Sequence, residues 1–273
     1  MNNNHLGNII LKKRKELGIT QQELAKLLHI SYQAISRWEN GLAYPDIELL
    51  PQIADILNTS TDALLGHTQP KITAYEERYQ SENYYWGLVP NKLCYDILRM
   101  RPPIHPQTVL DIGCGEGKDA VFLARNGYQV MAFDCAESGL EKAKKLAEQY
   151  NVCVDFFKAD IHEYRLENQV DVVYSSGVFH YIRNNLRKEL VDNYKQYVKT
   201  GGLAVINVFV DKPFIQRAPD DDTPTGVEGW KSGEILTLFH DWKVMRFEEV
   251  IFDCFSDGIP HKHCMDILIA EKI

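Results

Sequence analysis

The sequence predicts an α/β domain built on a mainly parallel sheet with helices on both faces, preceded by a small all-α domain. Three observations carry this. Residues 1–66 read as consecutive short helices with no strand signal. From about residue 71 onward, β-branched runs alternate with helical periods, as parallel strands joined by crossover helices do. Between the two, Gly66-His67-Thr68-Gln69-Pro70 is polar and carries both Gly and Pro, which makes it a linker. The limits so read are 1–66 for the first domain, 67–74 for the linker and 75–273 for the second domain.

Composition narrows the function classes. The 273 residues are 45% hydrophobic and 25% charged, which excludes collagen-like and disordered chains. No apolar run approaches the ~18 residues of a membrane span, and MNNNHLGNIILKKRK has no secretory-signal pattern. The six cysteines include no C-x-x-C pair, which fits a reducing compartment, so a cytoplasmic location is expected. A net charge of −8 excludes a general polyanion binder, so any nucleic-acid site must be local. Residues 1–70 hold six Lys/Arg against seven Asp/Glu, net −1, which leaves 24 against 31, net −7, for the rest.

In the first domain, Leu6 to Leu17 carries apolar residues at 6, 9, 10 and 17 around Lys12, Lys13, Arg14 and Lys15, and Gly18 ends this helix. Thr20 caps the next helix with Glu23 three residues on, the spacing of a capping box, and Leu24, Ala25, Leu27 and Leu28 supply its buried face. A tight His29-Ile30 connection leads to Ser31, the cap of a helix over Tyr32 to Asn40 that Gly41 terminates. Helices over 45–57 and 61–65 follow, the last with Ser60 as its cap.

By itself this is an αα-hairpin within a bundle. The segment TQQELAKLLHISYQAISRWENG, however, resembles the Cro/C1-type (xenobiotic-response-element) helix-turn-helix family. The resemblance implies that the third helix enters the DNA major groove, with Tyr32, Gln33, Ser36 and Arg37 reading bases. Gln21 and Asn40 would hold phosphates, while Ala25, Leu28, Ile30, Ile35 and Trp38 would be core. Double-stranded DNA is the expected partner, bound by a homodimer. The competing reading is a module for dimerisation or partner binding, which the net charge of −1 favours.

In the second domain, Gln107 to Ile112 is a buried-strand pattern that runs into Gly113-Cys114-Gly115-Glu116-Gly117 and a helix over 118–126. A glycine turn there lets backbone approach a ligand closely. The next strand, YQVMAFD, ends in Asp134, placed to accept hydrogen bonds from two ribose hydroxyls. A nicotinamide fingerprint would need glycine at 118, where Lys118 stands; the pattern is D-x-G-x-G-x-G, opened by Asp111. Strands follow at 152–158, ending at Ala159-Asp160-Ile161, and at 170–174, ending at SSGVFHY. A helix over 186–199 leads to a Gly201-Gly202 turn and the strand LAVINVFV, then a helix over 233–240 and strands over 242–252 and 265–270.

LDIGCGEGKDAVFLARNGYQV, DWKVMRFEEV and ILIAEKI resemble the Rossmann-like, S-adenosylmethionine-dependent methyltransferases over roughly 75–273, and within them the tellurite-resistance, TehB-type small-molecule enzymes. The segment PHKHCMD departs from that pattern. The resemblance implies a seven-stranded sheet and S-adenosylmethionine as cofactor, held by Asp111, Gly113, Cys114, Gly115, Gly117, Asp134, Cys135, Asp160, Ile161, Ser175 and Ser176. Asp111 would face the cofactor's ammonium and Asp160 its adenine. YEERYQSENYYWGLVP resembles the lid segment of small-molecule methyltransferases and places Tyr84, Tyr85 and Trp86, with Tyr181, around the substrate.

His180 follows the fourth strand, and His261 and His263 precede the last. If that strand is antiparallel, as the resemblance implies, all three reach one sheet edge as catalytic residues, hydrogen-bonding a small oxyanion or helping deprotonate a thiol. His261-x-His263 also has the spacing of a metal pair, but with no third ligand near in sequence no metal is expected. SSGVFHY replaces the [DN]-P-P-[YF] motif of DNA amino methyltransferases, which disfavours DNA as methyl acceptor. The function expected is thus a small-molecule methyltransferase, for a thiol or chalcogen oxyanion, fused to a DNA-binding domain in a transcriptional regulator. The alternative is a transcription factor whose second domain senses S-adenosylmethionine or a metabolite without turnover.

Overall fold

The computed structural model describes residues 5–59, 61–65, 74–215, 228–255 and 260–273. The Gly66 to Pro70 linker and the Ser60 cap lie outside them. The chain divides into two compact units, Met1–Ile72 and Thr73–Ile273.

In the first unit the helices are α1 (His5–Glu16), α2 (Gln21–Leu27), α3 (Tyr32–Glu39), α4 (Leu50–Ile56) and α5 (Thr61–Leu64). Thr20 and Glu23 form the reciprocal capping box: the Glu23 amide donates to the Thr20 hydroxyl at 3.2 Å and the Thr20 amide to the Glu23 carboxylate at 2.6 Å. The Ser31 hydroxyl accepts from the Ala34 amide at the start of α3. His29, at φ +55°, makes the sharp turn between α2 and α3. Leu6, Ile10, Leu24, Ala25, Leu28, Ile35, Trp38, Ile53 and Leu57 form the core. Two expectations need correction here. Leu27 is 54% exposed, because the stripe through Leu24, Ala25 and Leu28 leaves it on the other side of α2. Ile30 is only partly buried and packs at the core's margin.

One polar group lies inside this core. Arg14, within the basic run of α1, is buried and bidentate to Glu39 at 2.7 and 3.1 Å, with its third bond to the Ile19 carbonyl. The pair ties α1 to the end of α3. Removing one partner strands the other charge in a low-dielectric site. Glu39→Ala is therefore expected to destabilise this unit by about 3 kcal/mol, whereas the double variant Arg14→Met/Glu39→Leu should lose far less. Urea unfolding of the two proteins followed by circular dichroism checks the difference.

The second unit carries α6 (Ala74–Tyr79), α7 (Lys92–Met100), α8 (Lys118–Arg125), α9 (Glu137–Gln149), α10 (Asn184–Tyr197) and α11 (Glu234–Leu238). Its sheet is made of β1 (Thr108–Ile112), β2 (Gln129–Asp134), β3 (Val154–Lys158), β4 (Val170–Ser175), β5 (Val198–Phe209), β6 (Lys243–Cys254) and β7 (His261–Glu271). The order is β3-β2-β1-β4-β5-β7-β6. All neighbours are parallel except β5–β7 and β6–β7, which are antiparallel. The parallel strands are apolar runs because both faces are covered: Leu110, Ile112, Val173 and Ile206 face one buried cluster, and Val109, Ala132, Val172 and Val205 the other. Strand order turns back between β1 and β4, so a ligand crevice opens outside their carboxyl ends.

Two strand limits differ from those read in the sequence by more than two residues. Gly201-Gly202 does not turn the chain between helix and strand. β5 begins at Val198 and passes through the glycines as an irregularity, with Val170 facing Val198 while Val172 faces Leu203. β7 begins at His261 rather than 265, because β6 runs on to Cys254 and pairs with it, so His261 and His263 belong to the strand. Beyond β5, Trp230 is fully buried, donates its indole N–H to the Phe179 carbonyl and lies under the Arg187 guanidinium. This anchors the turn that carries His180.

Candidate active site

The loop after β1 is built for close approach. Gly113, Gly115 and Gly117 have φ of +71°, +52° and +81°, which disfavour any residue with a side chain. A Cβ on Gly113 would sit 2.3 Å from Val178, and one on Gly115 would sit 2.7 Å from the Tyr79 hydroxyl. Asp134, at the end of β2, fixes the loop: its carboxylate accepts from the Gly115 amide at 2.8 Å and the Ala136 amide at 2.9 Å. The carboxylate predicted to wait for ribose hydroxyls is thus already bound at both oxygens by backbone, leaving its remaining lone pairs for a ligand. Burial raises its pKa, and the amides of Ala136, Gly115 and Cys135, with the Cys135 side chain, oppose that shift.

Asp111 is 2% exposed, and its Oδ2 finds no hydrogen-bond partner among the described residues. Burial, then Asp119 and Asp134, hold its pKa well above the ordinary carboxylate range, with Lys118 opposing. A buried carboxylate with an orphaned oxygen beside a glycine cradle calls for a cation. Cys114 packs as a small apolar residue, its thiol pushed well up by burial.

The other expected cofactor residues divide by what they touch. Asp160 Oδ1 accepts from the His162 amide and contacts the His162 ring, both at 2.8 Å, while Ile161 is buried. Ser175 is fully buried and donates to the Ile112 carbonyl, so its hydroxyl faces β1, not the crevice. The Ser176 hydroxyl accepts from Asn91 at 2.9 Å and Asn207 at 3.0 Å. Asn91, Asn207, Asp119 and Tyr174 were not singled out in the sequence, yet their hydrogen bonds tie together the ends of β4 and β5, the start of α7 and the first turn of α8. Asp119 accepts from the Asn91 amide and the Tyr174 hydroxyl, both at 2.7 Å, and Asn207 accepts from the Gly177 amide at 2.6 Å.

Residues 74–91 lie across the loop and are fastened along their length. Glu76 accepts from the Ser138 hydroxyl and amide. Lys142 bridges the Asn83 carbonyl and the buried Glu116 carboxylate, both at 2.7 Å, and Lys118 reaches the Val89 carbonyl. Tyr79, 5% exposed, covers Gly115 and Gly139. Of the predicted substrate residues, Tyr85, Trp86 and Tyr181 join one aromatic group through Tyr75: Trp86 stacks 4.8 Å from Tyr85 and 6.3 Å from Tyr75, whose hydroxyl is 3.1 Å from that of Tyr181. Tyr84 does not join it. It packs outward on Val121, Leu146 and Ala147 and donates to the Lys142 carbonyl.

The three predicted histidines converge. His180 lies 4.0 Å from Tyr181 and 4.7 Å from Phe209, which lies 4.7 Å from His263 (ring centroids). His263 contacts His261 through the two Nε2 atoms at 2.8 Å. Antiparallel pairing of β7 with β5 sets Phe209 opposite Met265, which carries His263 and His261 past the carboxyl edge on which His180 stands. Tyr75, Tyr79 and Phe209 were missed because single aromatic residues in helix and strand patterns read as core.

On α3, Tyr32, Gln33, Arg37 and Asn40 are exposed and Ser36 is partly so, one face at helical spacing. Asn40 donates to the Ser36 carbonyl at 2.7 Å. Gln21 differs from expectation: its amide donates to Glu39 at 2.7 Å and completes the Arg14 pair.

Residues 109–202 match the family described as Methyltransferase domain, and residues 10–64 the family described as Helix-turn-helix. The chain joins a helix-turn-helix domain to a methyltransferase domain. It is 23% identical over 157 residues to TehB of Haemophilus influenzae, named as a probable S-adenosyl-L-methionine-dependent methyltransferase, covering 56% of this chain and 52% of that one. It is 31% identical over 99 residues to a ubiquinone biosynthesis O-methyltransferase of Rickettsia akari, covering 36% and 39%. The chain spans about half the length of the curated relatives it matches first. Among solved structures, TehB of Haemophilus influenzae has a TM-score of 0.60 at 19% identity, covering 75% of this chain and 68% of that one. The N-methyltransferase NodS of Bradyrhizobium japonicum, solved with S-adenosyl-L-homocysteine, has a TM-score of 0.52 at 15% identity, covering 72% and 96%. These likenesses show the Rossmann-like methyltransferase fold. No described helix is long and apolar enough to cross a membrane.

The glycine cradle and the orphaned Asp111 oxygen fit S-adenosylmethionine, the cofactor named for TehB, whose ammonium would supply the missing cation. Because the cofactor favours the carboxylate over the raised-pKa acid, binding should release a proton, and affinity should rise with pH through the raised Asp111 pKa. Calorimetry with S-adenosylmethionine in two buffers of different ionisation heat is expected to show this release. Asp111→Asn should abolish it and weaken binding by about 1–3 kcal/mol.

Proposed function

We propose that the second unit is an S-adenosylmethionine-dependent methyltransferase for a small molecule, a thiol or chalcogen oxyanion, and that the first unit directs it to specific DNA sequences as a transcriptional regulator. The observation that carries the acceptor class is the arc of rings from Tyr75 and Tyr181 through His180 and Phe209 to His263, at the carboxyl edge beside the glycine loop. The fastened segment 74–91 closes the loop side, which suits an acceptor small enough to lie beneath it. The names of the relatives, TehB and a ubiquinone biosynthesis O-methyltransferase, are in keeping with this.

When bound, S-adenosylmethionine supplies an electrophilic methyl group on a sulfonium. The chain's own residues have the remaining tasks. Asp134 orders the Gly115 amide, and when the cofactor is bound Asp111 would pair with its ammonium, Asp134 would hold its ribose, and Asp160 with Ile161 would border its adenine. Tyr75, Trp86 and Tyr181 offer electron-rich faces to a cationic methyl and exclude water. His180 and His263 donate hydrogen bonds to an oxyanion or take the proton of a thiol. His180→Ala or His263→Ala is expected to lower turnover at least tenfold, ~1.4 kcal/mol of barrier, with cofactor affinity nearly unchanged. A panel of small thiols and chalcogen oxyanions assayed with labelled cofactor provides the measurement. No turnover on any of them, with cofactor binding intact, would favour a sensor of S-adenosylmethionine; the seat of Tyr79 on Gly115, where cofactor and segment 74–91 must meet, is in keeping with that second reading.

For the first unit, the exposed face of Tyr32, Gln33, Ser36, Arg37 and Asn40 supports reading of bases in a major groove. Gln21, held by Glu39, presents the remainder of its amide to a phosphate. A single short helix reads few base pairs, so a cytoplasmic homodimer on a near-palindrome is expected, with half-sites ~34 Å apart. Selection from a random duplex pool should yield that motif, and Arg37→Ala should relax it at one position at a cost of about 1–3 kcal/mol. A pool without enrichment would make this domain an interaction module.

A further inference from the structure

We propose that Cys254, His261 and His263 form a three-ligand site for a divalent transition metal of the zinc class, with a fourth position open to an exogenous thiolate. Cys254 and His261 are directly paired across β6 and β7, and His263 stands two residues along β7 on the same face, opposite Phe252. Their ligand atoms all lie within 4.8 Å of one another, and the two Nε2 atoms are 2.8 Å apart. The imidazole planes are perpendicular, with centroids 4.6 Å apart. All three residues are partly buried.

A single proton can sit between two imidazole nitrogens, and it does not draw a sulfur atom to the same point. A metal ion does both. One thiolate and two imidazoles are the donors zinc-class ions take, and zinc bonds of about 2.0–2.1 Å to nitrogen and about 2.3 Å to sulfur put tetrahedral ligand atoms roughly 3.3–3.5 Å apart. The spacing of this cluster brackets that value, so small rotations of three side chains on a paired ribbon complete the site. Two chain segments hold the ligands, and Phe209 and Phe252 back the His263 ring at 4.7 and 5.8 Å. Among the described residues no fourth His, Cys, Asp or Glu joins the cluster. Three protein ligands with one open position is the arrangement of reactive rather than structural zinc sites.

The pair His261-x-His263 lacked a third ligand in the sequence because Cys254 is supplied by strand register across the hairpin. The site adjoins the proposed acceptor arc through Phe209 and His180. A thiol bound at the open position gives its proton to solvent or to His180 and is held as thiolate by the metal, with His263 serving there as ligand and not as base. This occupant rests on the acceptor reading above, whereas the metal site does not.

The test uses the full-length reduced protein, stripped of metal and titrated with Co²⁺ alone. The expected result is one Co²⁺ per chain, with the visible bands of a four-coordinate ion and a sulfur-to-cobalt charge-transfer band in the near ultraviolet, both removed by one equivalent of Zn²⁺. Cys254→Ala should lose the charge-transfer band, and His261→Gln or His263→Ala should weaken Co²⁺ binding at least tenfold, with thermal melting confirming that each variant is folded. A wild-type spectrum without the sulfur band, or a band that persists in Cys254→Ala, overturns the site. Adding a small thiol to the Co²⁺ protein should shift the visible bands; unchanged bands overturn the thiolate occupant. Calorimetry with S-adenosylmethionine on the same preparation reports the cofactor site separately, so failure of one reading is distinguishable from failure of the other.

Discussion

The Asp134 carboxylate joins the carboxyl ends of β1 and β2 by accepting from the amides of Gly115 and Ala136, and the site in the second unit depends on this clasp. The loop it holds runs through three residues with positive φ, a conformation that neighbouring contacts must stabilise against the freedom of glycine. With the loop fixed, Asp111 is left as a buried carboxyl group with one oxygen unbonded among the described residues, and Glu116 is turned toward Lys142. Desolvation of Asp111 is a cost of several kcal/mol for an isolated charge, and it raises the pKa of the carboxyl group.

From this loop the architecture extends in two directions. Residues 74–91 are drawn across it by Glu76, Asn83, Val89 and Asn91, each bonded to a residue of α8, α9 or the β4 tip. The Asn91–Ser176–Asn207 chain then connects that segment to β5. On the far side, the antiparallel β7 reverses the direction of the sheet, so a strand that starts at the carboxyl edge delivers His261 and His263 next to Phe209. A fully parallel sheet would have put the start of that strand at the opposite edge.

The first unit shows the same economy of polar groups. Arg14 stands in a basic run, but the packing of α1 against α3 places it inside with Glu39 and Gln21, which removes one cation and one anion from the surface. The exposed cations that remain include Lys12, Lys15, Lys26 and Arg37. This is a modest basic surface, so on the DNA-binding reading proposed above base contacts from α3 would carry more of the binding than in a strongly basic domain.

The periods of the sequence were sufficient for the order of the helices in the first unit and of the strands in the second, the capping box at Thr20 and Glu23, and the glycine loop between β1 and α8, but α6, α7 and α9 were not read from them. These are local features, set by steric preference and by hydrogen bonds between residues three or four apart. The family likeness further carried the acids at 111 and 134 and the convergence of three histidines. Tertiary structure alone decided which oxygens of Asp134 are taken, that Tyr84 turns away while Tyr75, Tyr79 and Phe209 turn inward, that Gln21 and Arg14 close on Glu39, and that β7 starts at His261. It also set Cys254 beside the two histidines. Each of these depends on pairings between residues far apart in the chain, and strand register or helix packing, not local spacing, determines who meets whom.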